Sequence, residues 1–312
     1  MSITVVGSVA YDAVKTPFGE RERMLGGAAS YFALAASFFD EVHVVGRVGE
    51  DFSDEDLAVV ATRGTDVSNI ERVPGGKTFF WAGEYGWDLN SRETLDTQLN
   101  VFEDFHPTLS AASRDCDVLF LANIQPELQL GVLEQCREPK FVAMDSMNLW
   151  IDIARDALIE VIRRVDCVVL NDAELRQLTE RPSIVGAARA VIEMGPTAVV
   201  AKLGEYGSAL ITEDDFFALP AFPLETVVDP TGAGDTFAGG FVGYIARQLD
   251  GEPTEPLLRQ AMAYGTALAS HTVEEFGTQR LERLTAGEVD ARVENLRRIT
   301  QFEPLPAPLE AS

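Results

Sequence analysis

Lysine is nearly missing from this chain. Of 25 basic residues only Lys15, Lys77, Lys140 and Lys202 are lysines, set against 50 acidic residues in a chain of 312, for a formal net charge of −25. That charge repels nucleic acid and anionic membrane surfaces, so neither is expected as a partner. Acid excess with so little lysine is the composition expected of a halophilic protein. In molar salt the Debye length is about 3 Å, so carboxylates can crowd on the surface and their hydration keeps the chain dissolved. An ordinary acidic protein is the alternative.

Other absences narrow the choice further. Cys116, Cys136 and Cys167 are odd in number and show no Cys-x-x-Cys spacing, so reduced cysteines are expected rather than a disulfide framework. The three histidines, His43, His106 and His271, form no metal motif. The longest apolar stretch, residues 28–39, contains Ser30 and Ser37 and is too short to cross a bilayer. The chain opens directly into the run Ile3–Val9 with no basic n-region, so no signal peptide and a cytoplasmic location are expected. Val5-Val6-Gly7-Ser8 opens like a dinucleotide-binding unit, but Gly-x-Gly-x-x-Gly does not follow it, which removes the dehydrogenase reading. No internal repeat is visible.

What the chain does have is a 46% apolar composition and enough length to bury a substantial core, read as one domain over residues 1–312. Short Val/Ile-rich runs alternate with helical periodicity, which predicts an α/β fold built on a doubly wound, mostly parallel sheet. Strands are expected at Ile3–Val9, Val42–Val48, Asp117–Ala122, Phe141–Asp145, Cys167–Leu170 and Ala198–Lys202. An antiparallel pair follows near Ser208–Thr212 and Phe216–Leu219, joined by a short acidic turn. Helices are expected at Ala28–Phe39, Asp54–Arg63, Pro126–Gln135, Ile151–Arg164 and Ser183–Met194, then about Gly234–Leu249 and Glu255–Thr272. Residues 75–107 break the rhythm with alternating, aromatic-rich sequence that fits strands outside the main sheet. The tail from Glu303, with Pro304, Pro306 and Pro308, reads as a loose extension.

The most specific stretch is Asp229-Pro230-Thr231-Gly232-Ala233-Gly234-Asp235-Thr236-Phe237. Its fixed residues have a chance probability of about one in ten million per start position from average residue usage. Gly232 and Gly234 let backbone amides approach an anion closely, and the helix that follows aims its positive dipole end at the same point. Gly232, Ala233 and Gly234 would then form an anion hole, and Asp235 would take the proton from an attacking hydroxyl. The competing reading is an Asp in the first turn of an ordinary helix.

This stretch resembles the C-terminal signature of the PfkB, or ribokinase-like, carbohydrate and nucleoside kinases. Gly26-Gly27-Ala28-Ala29-Ser30-Tyr31 resembles the family's N-terminal glycine-pair signature, and Gly46-Arg47-Val48-Gly49-Glu50-Asp51 its Gly-x-Val-Gly-x-Asp turn. Asn171-Asp172-Ala173-Glu174 is similar to its Asn-x-x-Glu motif, and Lys202-Leu203-Gly204 with Gly207 to its nucleotide-side strand and turn. The resemblance implies ATP and magnesium as cofactors. Asn171 and Glu174 would organise the ion through water, and Lys202, Gly204, Gly265 and Thr266 would lie along the nucleotide. It also implies an acceptor site at Asp12, Gly26, Gly27, Tyr31 and Asn100, under a small β lid formed by about residues 11–23 and 75–107. Asp229, Thr231, Glu275 and Gly277 match positions that bind a monovalent cation such as potassium in several relatives.

Local alternatives stay open for several of these. Asn171 could cap a helix beginning at Asp172, and helix packing explains Gly265 and Thr266 as well as adenine does. Tyr31 stands where many sugar-kinase relatives carry Asn. Thr97-Gln98-Leu99-Asn100 lacks the arginine that sugar-phosphate kinases use, although Arg47 and Arg92 remain as phosphate partners. The expected activity is therefore ATP-dependent phosphorylation of an unphosphorylated sugar or polyol. A nucleoside kinase, or a catalytically silent metabolite-binding protein of this fold, is the alternative. The aromatic cluster Phe80, Trp81, Tyr85 and Trp87 suits a nucleobase, a sugar face, or a homodimer contact through the lid.

Overall fold

A computed structural model describes residues 1–303. Most of the proposed loose tail lies outside the described residues. The strands are β1 (Ser2–Val6), β2 (Ala10–Thr16), β3 (Gly19–Gly26), β4 (Glu41–Gly49), β5 (Ile70–Val73), β6 (Phe79–Tyr85), β7 (Arg92–Gln98), β8 (Val118–Leu121), β9 (Phe141–Asp145), β10 (Cys167–Asn171), β11 (Ala198–Lys202), β12 (Ser208–Thr212) and β13 (Phe216–Leu219). The helices are α1 (Ala28–Ala36), α2 (Asp54–Val60), α3 (Ala111–Arg114), α4 (Pro126–Leu133), α5 (Asn148–Ile153), α6 (Arg155–Ile162), α7 (Asp172–Thr179), α8 (Ile184–Ile192), α9 (Ala233–Gln248), α10 (Glu255–Thr272), α11 (Gln279–Arg283) and α12 (Ala286–Thr300).

Nine strands form the main sheet in the order β13-β12-β11-β10-β9-β8-β1-β4-β5. Pairing is parallel from β11 to β5, and β12 and β13 add an antiparallel edge. Successive side chains of a strand face opposite ways, so each run feeds two cores. Ile3, Val5, Val118, Phe120 and Val169 join one core with α1, α9 and α10. Val6, Leu119, Leu121, Val168 and Leu170 join the other, against α4, α6, α7 and α8. Within the first core Phe32 of α1 stacks on Phe120 with centroids 4.4 Å apart. Truncating a buried Phe of this kind costs about 3–5 kcal/mol.

Differences from the expected elements have local causes. The first run leaves the sheet at Val6, and Gly7–Val9 carries the chain over to β2. The helix expected over Ile151–Arg164 is broken into α5 and α6 at Ala154, whose φ of −138° is not helical. A second, four-stranded sheet has the order β3-β2-β6-β7. It draws its strands from the residues expected outside the main sheet, with β2 and β6 parallel and the other pairs antiparallel. Its last strand stops at Gln98, and Asn100–Phe102 form a short 3₁₀ turn instead. No described helix is long and apolar enough to cross a membrane.

Candidate active site

Parallel strands of an open α/β sheet present ligands at their carboxyl ends. Here β9 ends in Asp145, β10 in Asn171 and β11 in Lys202. Lys202 Nζ lies 2.6 Å from Asp145 Oδ2, an ion pair with side chains only 18% and 6% exposed. Burial works against the Lys202 charge, but Asp145 and Glu174 outweigh it and hold its pKa above the ordinary lysine value. The same ammonium stands beside the glycine turn, for a Cβ built on Gly234 would come within 3.3 Å of Nζ.

The turn itself is fixed by backbone geometry. Gly232 caps α9 with φ +74°, in the left-handed region that side chains disfavour, and a Cβ there would fall 2.4 Å from the Tyr31 ring. Ala233, Gly234 and Asp235 then form the first turn of the 16-residue helix α9, where amides have no intrahelical acceptor. Asp235 is walled by protein yet keeps part of its surface open. Burial, then the nearby Asp145, push its pKa up to about 7, against the pull of Lys202 and Arg92. A carboxylate poised near neutrality suits a general base.

Asp12 lies across the cleft, within β2 of the small sheet rather than at the end of β1. Its carboxylate rests against Gly26, where a Cβ would come 2.1 Å from Oδ2. Gly27 has φ +91°, and any side chain there would strike the Ser8 carbonyl. Burial first, then Asp229 and Asp235, raise the Asp12 pKa to about 7, while the neighbouring Gly27 amide pulls it down.

The remaining residues divide. Asn171 and Glu174 form a capping box on α7, with Asn171 Oδ1 accepting from the Glu174 amide at 2.9 Å and Glu174 Oε2 accepting from the Asn171 amide at 2.8 Å. Burial raises the Glu174 pKa to about 7, opposed by Lys202 and assisted by Asp145. Gly204 begins a short turn after β11 with φ +60°. Tyr31 is 1% exposed beneath the Gly232 turn, with a buried hydroxyl that has no hydrogen-bond partner among the described residues. Asn100 follows β7 in the short 3₁₀ turn, donating to the Thr78 carbonyl at 2.9 Å. Gly265 is where α10 crosses α9, since a Cβ there would meet the Phe237 carbonyl at 2.8 Å. Thr266 is buried on the same helix, its hydroxyl without a partner among the described residues.

Asp229 is buried and ties two segments together. Its oxygens accept from the Thr231 amide at 2.9 Å and the Gly277 amide at 3.0 Å. Thr231 Oγ1 donates to Tyr85 of the small sheet at 3.2 Å, whereas the Glu275 side chain turns away to pair with Arg283. Asp229 thus brings together the backbone at Thr231 and Gly277, two of the segments that the resemblance assigns to a monovalent cation. Among the described residues, no three His, Cys, Asp or Glu side chains are grouped to hold a metal directly. Asp145 was not singled out from the sequence, where nothing local marks it. The usable signal was its place at the end of a strand beside Asn171.

The profile of the pfkB family of carbohydrate kinases matches residues 2–284. The chain belongs to that family. As a pfkB kinase it is a phosphotransferase, of the ATP-dependent kinases that act on sugars or nucleosides. It is 31% identical to the cytidine kinase of Thermococcus kodakarensis over 265 residues, covering 83% of this chain and 92% of that protein. A deoxyribokinase of Salmonella typhi is 26% identical over 264 residues, covering 81% and 82%. The fold is shared with the Burkholderia thailandensis nucleoside kinase in complex with ADP-inosine, at a TM-score of 0.79 and 19% identity over 99% of both chains.

Proposed function

We propose that this pfkB kinase transfers the γ-phosphoryl group of ATP to a sugar hydroxyl of a nucleoside. The observation that carries the reading is the pairing of Asp12 with Trp81 in adjacent, parallel β2 and β6, which puts the carboxylate and the indole on one face of the small sheet. A carboxylate accepts hydrogen bonds from two ribose hydroxyls, and a flat indole beside it gives a base something to stack on. The cytidine kinase relative supports the same class of acceptor.

In this reading the small sheet is the lid over the acceptor. Asp235 accepts the proton of the attacking hydroxyl as oxygen bonds to the γ-phosphorus and ADP leaves. The amides of Gly232, Ala233 and Gly234 meet the charge on the migrating group, and Lys202 stands beside them. Magnesium, when bound, neutralises the nucleotide phosphates. The residues fit an ion held mainly through water, because the capping box leaves Glu174 Oε1 outside its two bonds, where it would accept from a metal-bound water, and no all-protein cage is grouped among the described residues.

A coupled ADP-release assay in high potassium chloride, run against cytidine, uridine, adenosine, inosine, ribose, deoxyribose and inositol, tests the acceptor. Turnover with one or more nucleosides and none with free sugars is expected. Turnover confined to ribose, deoxyribose or inositol would move the acceptor to an unphosphorylated sugar or polyol, a class the deoxyribokinase relative supports. No turnover across the panel would contradict the reading.

A further inference from the structure

The glycine turn is held in place from outside. The limb that enters it hangs from residues 273–277, just past the end of α10. Val228 and Asp229 both donate backbone amides to the Val273 carbonyl, at 2.8 and 3.4 Å. The Asp229 carboxylate accepts from the Gly277 amide at 3.0 Å and from the Thr231 amide at 2.9 Å. A shift of residues 273–277 is therefore passed to Thr231 and on to Gly232. Those residues form turns and bends rather than helix or strand, so their position depends on side-chain anchors.

One anchor is built around Glu274, which groups from three helices surround. Its Oε1 accepts from Arg292 Nη2 of α12 at 2.7 Å, and its Oε2 from Arg280 Nε of α11 at 3.1 Å. His271 Nδ1 of α10 lies 3.3 Å from the same Oε2. The two arginine side chains are only 14% and 15% exposed. Burial alone would raise the Glu274 pKa, but the hydrogen bonds from Arg292 and Arg280 outweigh it and hold it below the ordinary value. The neighbouring Glu275–Arg283 pair is more exposed, and such pairs contribute little. α12 begins beyond residue 284, where the match to the family profile ends, so Arg292 reaches the cluster from outside that match.

We propose that Glu274 is a positioning residue for the glycine turn, pinning residues 273–277 so that the Val273 carbonyl and the Gly277 amide hold Asp229 and Thr231. Its catalytic consequence rests on the kinase reading above, in which the amides at 232–234 meet the migrating phosphoryl group. It need touch neither nucleotide nor acceptor, because it acts through the backbone of its own segment. Replacing it by glutamine leaves Arg280 paired with Glu288 at 2.7 Å. Arg292 keeps the Ser270 hydroxyl at 2.9 Å and the Phe222 ring, whose centroid is 4.4 Å from its guanidinium carbon. No guanidinium is left without a partner, so the variant should fold.

Hydrogen–deuterium exchange of the full chain, read by mass spectrometry, tests the link without any ligand. In Glu274→Gln, amides in peptides spanning 228–236 should exchange about tenfold faster, while those of β8, β9 and β10 stay within about twofold of wild type. Unchanged exchange at 228–236 would overturn the assignment. So would uniform acceleration across the chain, which would mean a general loss of stability. With ATP, magnesium and each member of the acceptor panel above, Glu274→Gln should lower kcat about tenfold and leave KM within about twofold. Arg292→Gln should do the same, and the double variant should be no worse than either single one, because both cut one link. Unchanged kcat, a rise in KM at constant kcat, or losses that multiply would each overturn it. A wild-type chain that turns over none of the panel would remove the kinase reading and the catalytic consequence, while the exchange data would still decide the link itself.

Discussion

Lys202 and Asp145, 57 positions apart in sequence, meet at 2.6 Å where β11 and β9 end, beside Gly234 of the glycine turn. The pair explains how an ammonium can be stored in a shielded cleft without a ligand. Removing one partner of a shielded pair leaves the other uncompensated, whereas removing both does not. Lys202→Met is therefore expected to cost about 3 kcal/mol of unfolding free energy in urea, and Asp145→Leu/Lys202→Met markedly less. Equal losses for the single and double variants would contradict this account of the pair.

The three acids held near neutrality have a consequence for stability. Asp12, Glu174 and Asp235 have folded-state pKa values of about 7, raised mainly by burial. Between about pH 4 and pH 7 the folded chain therefore holds more protons than the unfolded chain, so these groups reduce stability as pH rises through that window. Asp235→Asn should flatten part of this fall in denaturant titrations of the ligand-free protein. An unchanged slope would show that burial of Asp235 contributes nothing to it.

Gly232 is predicted to tolerate no side chain. Its φ of +74° and the Tyr31 ring directly behind it combine conformational strain with a steric clash. Gly232→Ala should lower stability by about 1–3 kcal/mol and, by displacing the amides proposed to form the anion hole, reduce kcat at least about 100-fold. Tyr31→Ala with Gly232→Ala should recover stability more than activity, because the clash is relieved while the strained φ remains. Wild-type turnover in Gly232→Ala would contradict the role given to the turn.

The net charge of −25 leads to a prediction about salt. Repulsion among surface carboxylates is screened as ionic strength rises. The thermal midpoint is expected to climb by several degrees between about 0.1 and 2 M potassium chloride, in keeping with a repulsion of a few kcal/mol. A flat or falling midpoint would remove the halophilic reading.

The glycine turn was legible because its chemistry needs a fixed spacing within nine residues, and the alternating strands because burial on both faces leaves uninterrupted Val/Ile runs. Asp145 was not, since its partner Lys202 comes from a strand two places away in the sheet. The end of β7 was not legible, because an alternating pattern continues past Gln98, whereas the backbone leaves the strand and takes φ +49° at Asn100. The helix α12 went unread although Thr285 and Glu288 form a capping box whose Thr-x-x-Glu spacing was in plain view. Asn171 and Glu174 form the same kind of box, so a cap and a phosphate-site motif share one spacing and the sequence could not separate them.

The central claim is that Asp235 takes the acceptor proton. The decisive measurement is the single-turnover rate of γ-phosphoryl transfer as a function of pH, in wild type and Asp235→Asn, with nucleotide and acceptor affinities measured alongside. The account predicts a wild-type rate that rises to a plateau with an apparent pKa near 7, and an Asn variant that binds both ligands yet loses about 1,000-fold or more in rate. An Asn variant that transfers phosphate within tenfold of wild type, with the same pH profile, would contradict it.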